Sequence, residues 1–154
     1  MPIPSDYREL LKILNRHRVK YLIVGAYAVT YYTEPRYTKD LDIWLKPEIK
    51  NATRTYKALK EFGAPLKDIS VEDLTNKNLV YQIGIEPVRV DLIMNISGVK
   101  FEPVWKHRVV ADFDGVKVNI MGIKELIESK KATKRRMDIV DIENLKLSKK
   151  LRKK

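Results

Sequence analysis

The 154 residues contain no cysteine, which excludes disulfide scaffolds, thiolate metal sites and cysteine nucleophiles. Only two histidines are present, too few for a multi-histidine zinc centre. Glycine and proline number six and seven, far below what collagen-like or low-complexity chains require. No apolar run approaches the roughly 20 residues that span a bilayer. The longest, Tyr21–Val24 and Val88–Met94, have the length of strands. The opening Met-Pro-Ile-Pro-Ser-Asp lacks the basic-then-apolar order of a signal peptide, so a cytoplasmic location is expected.

What is present is ordinary for a globular chain: 44% hydrophobic and 33% charged residues. One domain spanning 1–154 is expected, with a basic tail at 147–154. The formal charge is +11, and it is unevenly placed: residues 124–154 hold 12 basic and 5 acidic side chains. A basic end of this kind suits a phosphate-rich partner, because neutralising phosphates releases condensed counterions. For the last eight residues alone, a solvated, frayed end is the better account of the composition.

Periodicity and turn chemistry lay out the elements. Ser5 reads as the cap of a helix ending near His17. Tyr21–Val24 reads as a strand buried on both faces, stopping at Gly25, with a short helix Ala26–Tyr32 behind it. Thr33–Lys39 contains a proline and no period, so it reads as a loop. Asp40–Leu45 begins with the acid–apolar alternation of a strand. A helix is expected from Pro47 to about Phe62, closed by Gly63 in a left-handed cap. Asn78–Gly84 and Val88–Met94 form a strand pair, as do Val109–Phe113 and Val116–Ile120 around Asp114-Gly115. Helices at about Gly122–Lys134 and Met137–Lys150 follow, and the whole is an α+β chain. On the last of these, Asp138 and Asp141 are placed to pair with Lys134 or Arg135.

Three carboxylates stand where stability alone would not put them. Asp40 and Asp42 are two apart on a strand and leave the same face, where like charges raise one another's pKa unless a cation lies between. Asp91 interrupts the apolar Val90-Asp91-Leu92, where an unpartnered carboxylate costs several kcal/mol. Hard oxygen donors converging from two strands suit Mg²⁺. The competing account makes the first two the solvated face of an edge strand, and pairs Asp91 with Arg89 or a late lysine. Gly25-Ala26, between strand and helix, lets a phosphate approach backbone N–H groups, although a tight turn is the more frequent reason for one such glycine.

In this order, Val24-Gly25-Ala26, Asp40-Leu41-Asp42-Ile43 and Val90-Asp91-Leu92 resemble the nucleotidyltransferase superfamily of the DNA polymerase β type. Arg36, Thr38, Asp40 and Asp42 match the Arg-x-Thr-x-Asp-apolar-Asp element of its AbiEii-like branch. Leu126-Ile127, Lys130, Arg135 and Asp138 match that branch's late helix. One departure is Ala26, where much of the superfamily has serine or glycine, so a phosphate-contacting hydroxyl is missing. The resemblance implies a nucleotidyltransferase-like mixed sheet flanked by helices, with the C-terminal helices beside the cleft. It implies two Mg²⁺ ions (or Mn²⁺) on Asp40, Asp42 and Asp91, with Asp91 taking the acceptor proton. Phosphate contacts would come from Gly25, Ala26, Arg36, Thr38, Lys130 and Lys134. The implied reaction moves a nucleoside monophosphate from ATP or another nucleoside triphosphate to a hydroxyl of RNA, such as tRNA, or of a protein. A toxin–antitoxin role is one setting for it, with a partner protein or homo-oligomer completing so small a chain. Two other readings remain: a catalytically silent nucleotide- or partner-binding module of this fold, and a small basic nucleic-acid-binding protein with structural acids.

Overall fold

The computed structural model describes residues 3–33, 38, 40–85, 88–133 and 136–152, excluding the side chains of 136 and 137. Helix α1 (Ser5–Arg16) leads into β1 (Tyr21–Val24), α2 (Gly25–Tyr32), β2 (Asp40–Leu45) and α3 (Ile49–Phe62). After a 3₁₀ turn at Glu72–Thr75 come β3 (Val80–Ile85), β4 (Val88–Ile93) and α4 (Phe101–Lys106). The chain then runs through β5 (Val109–Phe113), β6 (Val116–Ile120), α5 (Ile123–Thr133) and α6 (Arg136–Arg152). The six strands form one mixed sheet in the order β3-β4-β2-β1-β6-β5. β2 runs parallel to β4 and β1 parallel to β6, while the remaining neighbours are antiparallel.

The pattern of burial explains the order. Tyr21, Leu22 and Ile23 of β1 are fully buried, as a strand in the middle of a sheet must be. Trp44 is buried edge-on against Phe101, their ring centroids 5.1 Å apart. Each such side chain contributes about 1.5–3 kcal/mol of apolar burial. Asp114 and Gly115 both take positive φ, as a two-residue hairpin of their type requires. Gly63 takes φ +92° and closes α3 in the left-handed conformation.

Several expectations shift. Ser5 makes no capping bond; Pro4 occupies the cap and Ser5 is the first helical residue. Proline fixes φ near the value that leads into a helix, so the hydroxyl is not needed there. α3 starts at Ile49 with Glu48 as its cap, two residues after Pro47, and β3 starts at Val80 rather than Asn78. α4 is too short to show a full apolar period, and nothing in the sequence pattern announces it. β2 is an interior strand, which removes the account of Asp40 and Asp42 as the solvated face of a sheet edge. Most of the expected Thr33–Lys39 loop lies outside the described residues.

Candidate active site

Asp42 and Asp91 are register partners on parallel β2 and β4, and Asp40 is the partner of Arg89 one pleat earlier. The side chains of Asp40, Asp42, Arg89 and Asp91 therefore share one face of the sheet. Across β2 on the other side, Val24 is the partner of Asp42, so β1 ends directly beside this carboxylate. Gly25 makes the turn into α2 at φ +67°, and a Cβ there would press into Asp42 Oδ2, with Cγ only 3.0 Å away. Glycine is thus required twice: for its backbone conformation and for the space it leaves the carboxylate.

The three acids are not equivalent. Arg89 Nη2 lies 2.7 Å from Asp40 Oδ2, and its Nε lies 3.1 Å from Asp91 Oδ1. Arg89 Nη2 also donates to Asp91 Oδ2 at 3.3 Å. Asp42 has no hydrogen bond or ion pair among the described residues. Its carboxyl is pushed up to about 7, first by burial and then by the charges of Asp91 and Asp40, with Arg89 and Lys130 opposing. Asp40 Oδ1 is buried without a hydrogen-bond partner among the described residues. Beneath them, the Tyr7 hydroxyl donates to the Arg89 carbonyl at 2.8 Å and accepts from the Arg89 N–H at 3.1 Å. Burial, aided by Tyr27 and by the charges of Asp40 and Asp42, pushes the Tyr7 phenol up to about 12, so it keeps its proton.

These donors suit a divalent cation. They are hard oxygens on one face; Asp40 Oδ1 and Asp91 Oδ1 are buried without a hydrogen-bond partner among the described residues, and Asp42 makes no ion pair there. As they stand, however, no three His, Cys, Asp or Glu side chains among the described residues converge closely enough to ligate a metal ion. The guanidinium of Arg89 already engages two of the three.

A cleft of about 170 Å³ opens on Asp42, with Gly25, Ile96, Lys130, Thr133 and Asp138 among the other residues that line it. Lys130 projects into it from α5. Its ammonium is held by Asp138 at 3.2 Å and Asp141 at 3.0 Å, both of them nearly inaccessible on α6. Thr133 adds a hydroxyl to Asp138. The carboxylates of Asp138 and Asp141 thus engage Lys130, while Lys134 and Arg135, the partners that helical spacing suggests, lie outside the described residues. Ala26 is in the first turn of α2, where backbone N–H groups lack intrahelical partners. Thr38 is half-buried, and Arg36 lies outside the described residues.

Residues 4–154 match the family described as nucleotidyl transferase of unknown function (DUF2204). The chain belongs to that family. Among solved structures, this nucleotidyltransferase is similar to the lincomycin-bound lincosamide antibiotic adenylyltransferase LnuA at 15% identity, covering 94% of this chain and 96% of that one, with a TM-score of 0.61. It is similar to the antibiotic-resistance factor ANT(2'')-Ia at 11% identity, covering 94% and 80%, with a TM-score of 0.57. A nucleotidyltransferase-like protein of Paracoccidioides brasiliensis gives 16% identity over 88% and 71%, with a TM-score of 0.55. No curated protein matches the chain. At these identities the structural likeness establishes the fold. The family match carries the superfamily reading, and the AbiEii-like branch stays an expectation.

The tyrosines of α2 are engaged in packing. Tyr27 is buried against the edge of Tyr7, and Tyr31 packs on Tyr32 and Phe113. The described residues include no helix long and apolar enough to cross a membrane. On the face of α5 away from the acids, Lys124, Lys131, Lys146, Lys149 and Lys150 surround a groove of about 430 Å³ against one acid, Glu128. Two contributors to the site go beyond what the sequence pattern points to. Arg89 reads there only as a partner of Asp91, although its place two residues earlier on the same strand face is legible. Tyr7, 82 positions from Arg89, leaves no signal in the sequence.

Proposed function

We propose that this nucleotidyltransferase moves a nucleoside monophosphate from a nucleoside triphosphate to the hydroxyl of an acceptor, at a divalent-cation site formed by Asp40, Asp42 and Asp91. The observation that carries this reading is the placement of the three carboxylates on one face of the adjacent strands β2 and β4, with Asp42 in no ion pair among the described residues. Mg²⁺, with Mn²⁺ as the alternative, would neutralise phosphate charge there and make the acceptor hydroxyl a better nucleophile.

The chain's own groups do the rest. The hydroxyl oxygen attacks the α-phosphorus, the bond from that phosphorus to the β-phosphate oxygen breaks, and pyrophosphate leaves in line. The hydroxyl proton passes to Asp91, directly or through water, a role that needs Arg89 to release it. Gly25 leaves room for the phosphates to approach the backbone, and the N–H of Ala26 donates to them. The missing side-chain hydroxyl at position 26 removes one donor and leaves the backbone ones. Lys130, pre-positioned by Asp138 and Asp141, supplies a point charge to the outer phosphates, and Arg36, Thr38 and Lys134 remain candidates for the same duty.

The lysine groove supports RNA as the acceptor class. Its five ammonium groups carry no ion pair among the described residues and can follow a phosphate backbone without reading its bases. The test incubates the protein with each α-labelled nucleoside triphosphate, Mg²⁺ and total RNA or extract protein. Label on RNA that disappears with EDTA and with Asp42→Asn supports the proposal. Label on neither RNA nor protein, with no nucleotide-dependent rise in melting temperature, overturns it.

A further inference from the structure

Arg89 stands out because it is a cation already seated among three acids whose proposed work is to hold a different one. Its fork spans two strands: Nη2 meets Asp40 on β2 at 2.7 Å, while Nε meets Asp91 on its own strand at 3.1 Å. The same two carboxylates are needed by a divalent ion, and their lone pairs cannot serve both partners at full strength. The charges agree: Arg89 pairs with Asp40 and Asp91 but not with Asp42, and the other described cation near Asp42, Lys130, is itself paired with Asp138 and Asp141.

We infer that Arg89 is a tethered counter-ion that holds Asp40 and Asp91 in the metal-free protein and is displaced from them when the divalent cation binds. This inference rests on the metal-site reading above. Three features of the structure fit an exchange of side chains rather than a rearrangement of the sheet. The backbone of Arg89 is pinned by Tyr7 through both its N–H and its carbonyl, which confines an exchange of partners to the side chain. That side chain is 26% exposed, which gives the guanidinium a way out. The carboxylates do not converge tightly enough for ligation while the fork lies on two of them. The fork thus has two effects. It offsets repulsion that would otherwise destabilise the empty site, and it sets a threshold that a monovalent or weakly binding ion does not cross.

The experiment measures metal binding with no nucleotide present, so activity is not the readout. Mn²⁺ is titrated calorimetrically into the full-length wild type, Arg89→Gln and Asp42→Asn. The expected result is a dissociation constant about tenfold lower for Arg89→Gln, as removal of a competing charge-assisted hydrogen bond implies. Its metal-free melting temperature should fall, and Mn²⁺ should raise it by more than in wild type. Should Arg89→Gln not fold, the wild type answers alone. With diamagnetic Mg²⁺, the Nε–H resonance assigned to Arg89 should move away from its ion-paired position as the site saturates. Unchanged or weaker Mn²⁺ binding by Arg89→Gln, or an Arg89 resonance that stays put at saturation, overturns the inference and leaves the metal site intact. Binding that survives Asp42→Asn unchanged, or no binding in any of the three proteins, overturns the metal-site reading and this inference with it.

Discussion

The acids of β2 and β4 and the lysines of α5 and α6 carry opposite charge in opposite settings. The carboxylates are sunk into a sheet and meet fixed partners at fixed distances. The groove lysines are mostly exposed and meet none among the described residues. Burial makes each acid's environment individual, so one carboxylate is pushed up to about 7 while its neighbour is clasped by a guanidinium. Exposure makes the lysines interchangeable, and screening by salt keeps their joint effect diffuse. Lys130 bridges the two regimes: it sits on the lysine-rich helix, yet two nearly inaccessible aspartates fix it. The contrast predicts that single substitutions cut deep at the acids and shallow at the groove.

The largest effect is expected from Asp42→Asn. It should lower labelled-nucleotide transfer by on the order of a thousandfold or more, as removal of a charge-organising group does. The same substitution should raise stability, with a sign fixed by linkage. A carboxyl raised from its ordinary 3.8 to about 7 binds its proton more tightly folded than unfolded, so stability falls as pH rises across that window. Without a titrating group at 42 the fall should flatten, and urea titrations at pH 4, 6 and 8 should show the variant gaining most at pH 8. A variant that is less stable than wild type at pH 8 would mean that Asp42 has a cationic partner.

Next comes Gly25→Ala, which meets both the positive φ and the Asp42 carboxylate. A destabilisation of about 1–3 kcal/mol in urea titration, together with reduced nucleotide binding, is expected. Smaller again is Asp141→Asn, which leaves Lys130 one full charge on Asp138. The apparent KM for the nucleoside triphosphate should rise about tenfold with kcat less affected, as expected when a phosphate-binding group is no longer held in position. A fall in kcat alone would place Lys130 in the chemical step instead. The smallest single effects belong to the groove. Replacing Lys146, Lys149 and Lys150 together by serine should leave the melting curve in place and weaken RNA binding at low salt. The slope of binding against salt should flatten by about one unit for each phosphate no longer neutralised. If each lysine taken alone matters as much as Asp42 does, the contrast between fixed and diffuse charge collapses.

Much of this arrangement was legible in the chain itself, because the signals are local. The β5–β6 hairpin announces itself through Asp114-Gly115, and β2 through the alternation at Asp40–Ile43. The shared face of Asp40 and Asp42 follows from the period of a strand. The resemblance implied a shared site for Asp91 with Asp40 and Asp42, but the parallel pairing of β2 with β4 that puts it on their face is not shown by local pattern. What remained hidden is held by contacts between distant segments: the Tyr7 phenol on Arg89, and Lys130 on Asp138 and Asp141 across two helices. Arg89 illustrates the boundary. Its strand position was readable, but its reach to Asp40, 49 residues away, was not.

Helix α1 is stitched to the sheet at widely separated points. Tyr7 grips β4, Arg8 donates to the carbonyl of Asp114 at the β5–β6 turn, and Asn15 donates to the carbonyl of Lys117 on β6. Between β4 and β6 lie β2 and β1, the strands that carry and adjoin the acids. The helix therefore works as a cross-brace that resists shear between the two halves of the sheet. Strand sliding is damped, and adaptation to an incoming nucleotide falls to side chains such as Arg89 and to the α5–α6 pair on the far bank of the cleft.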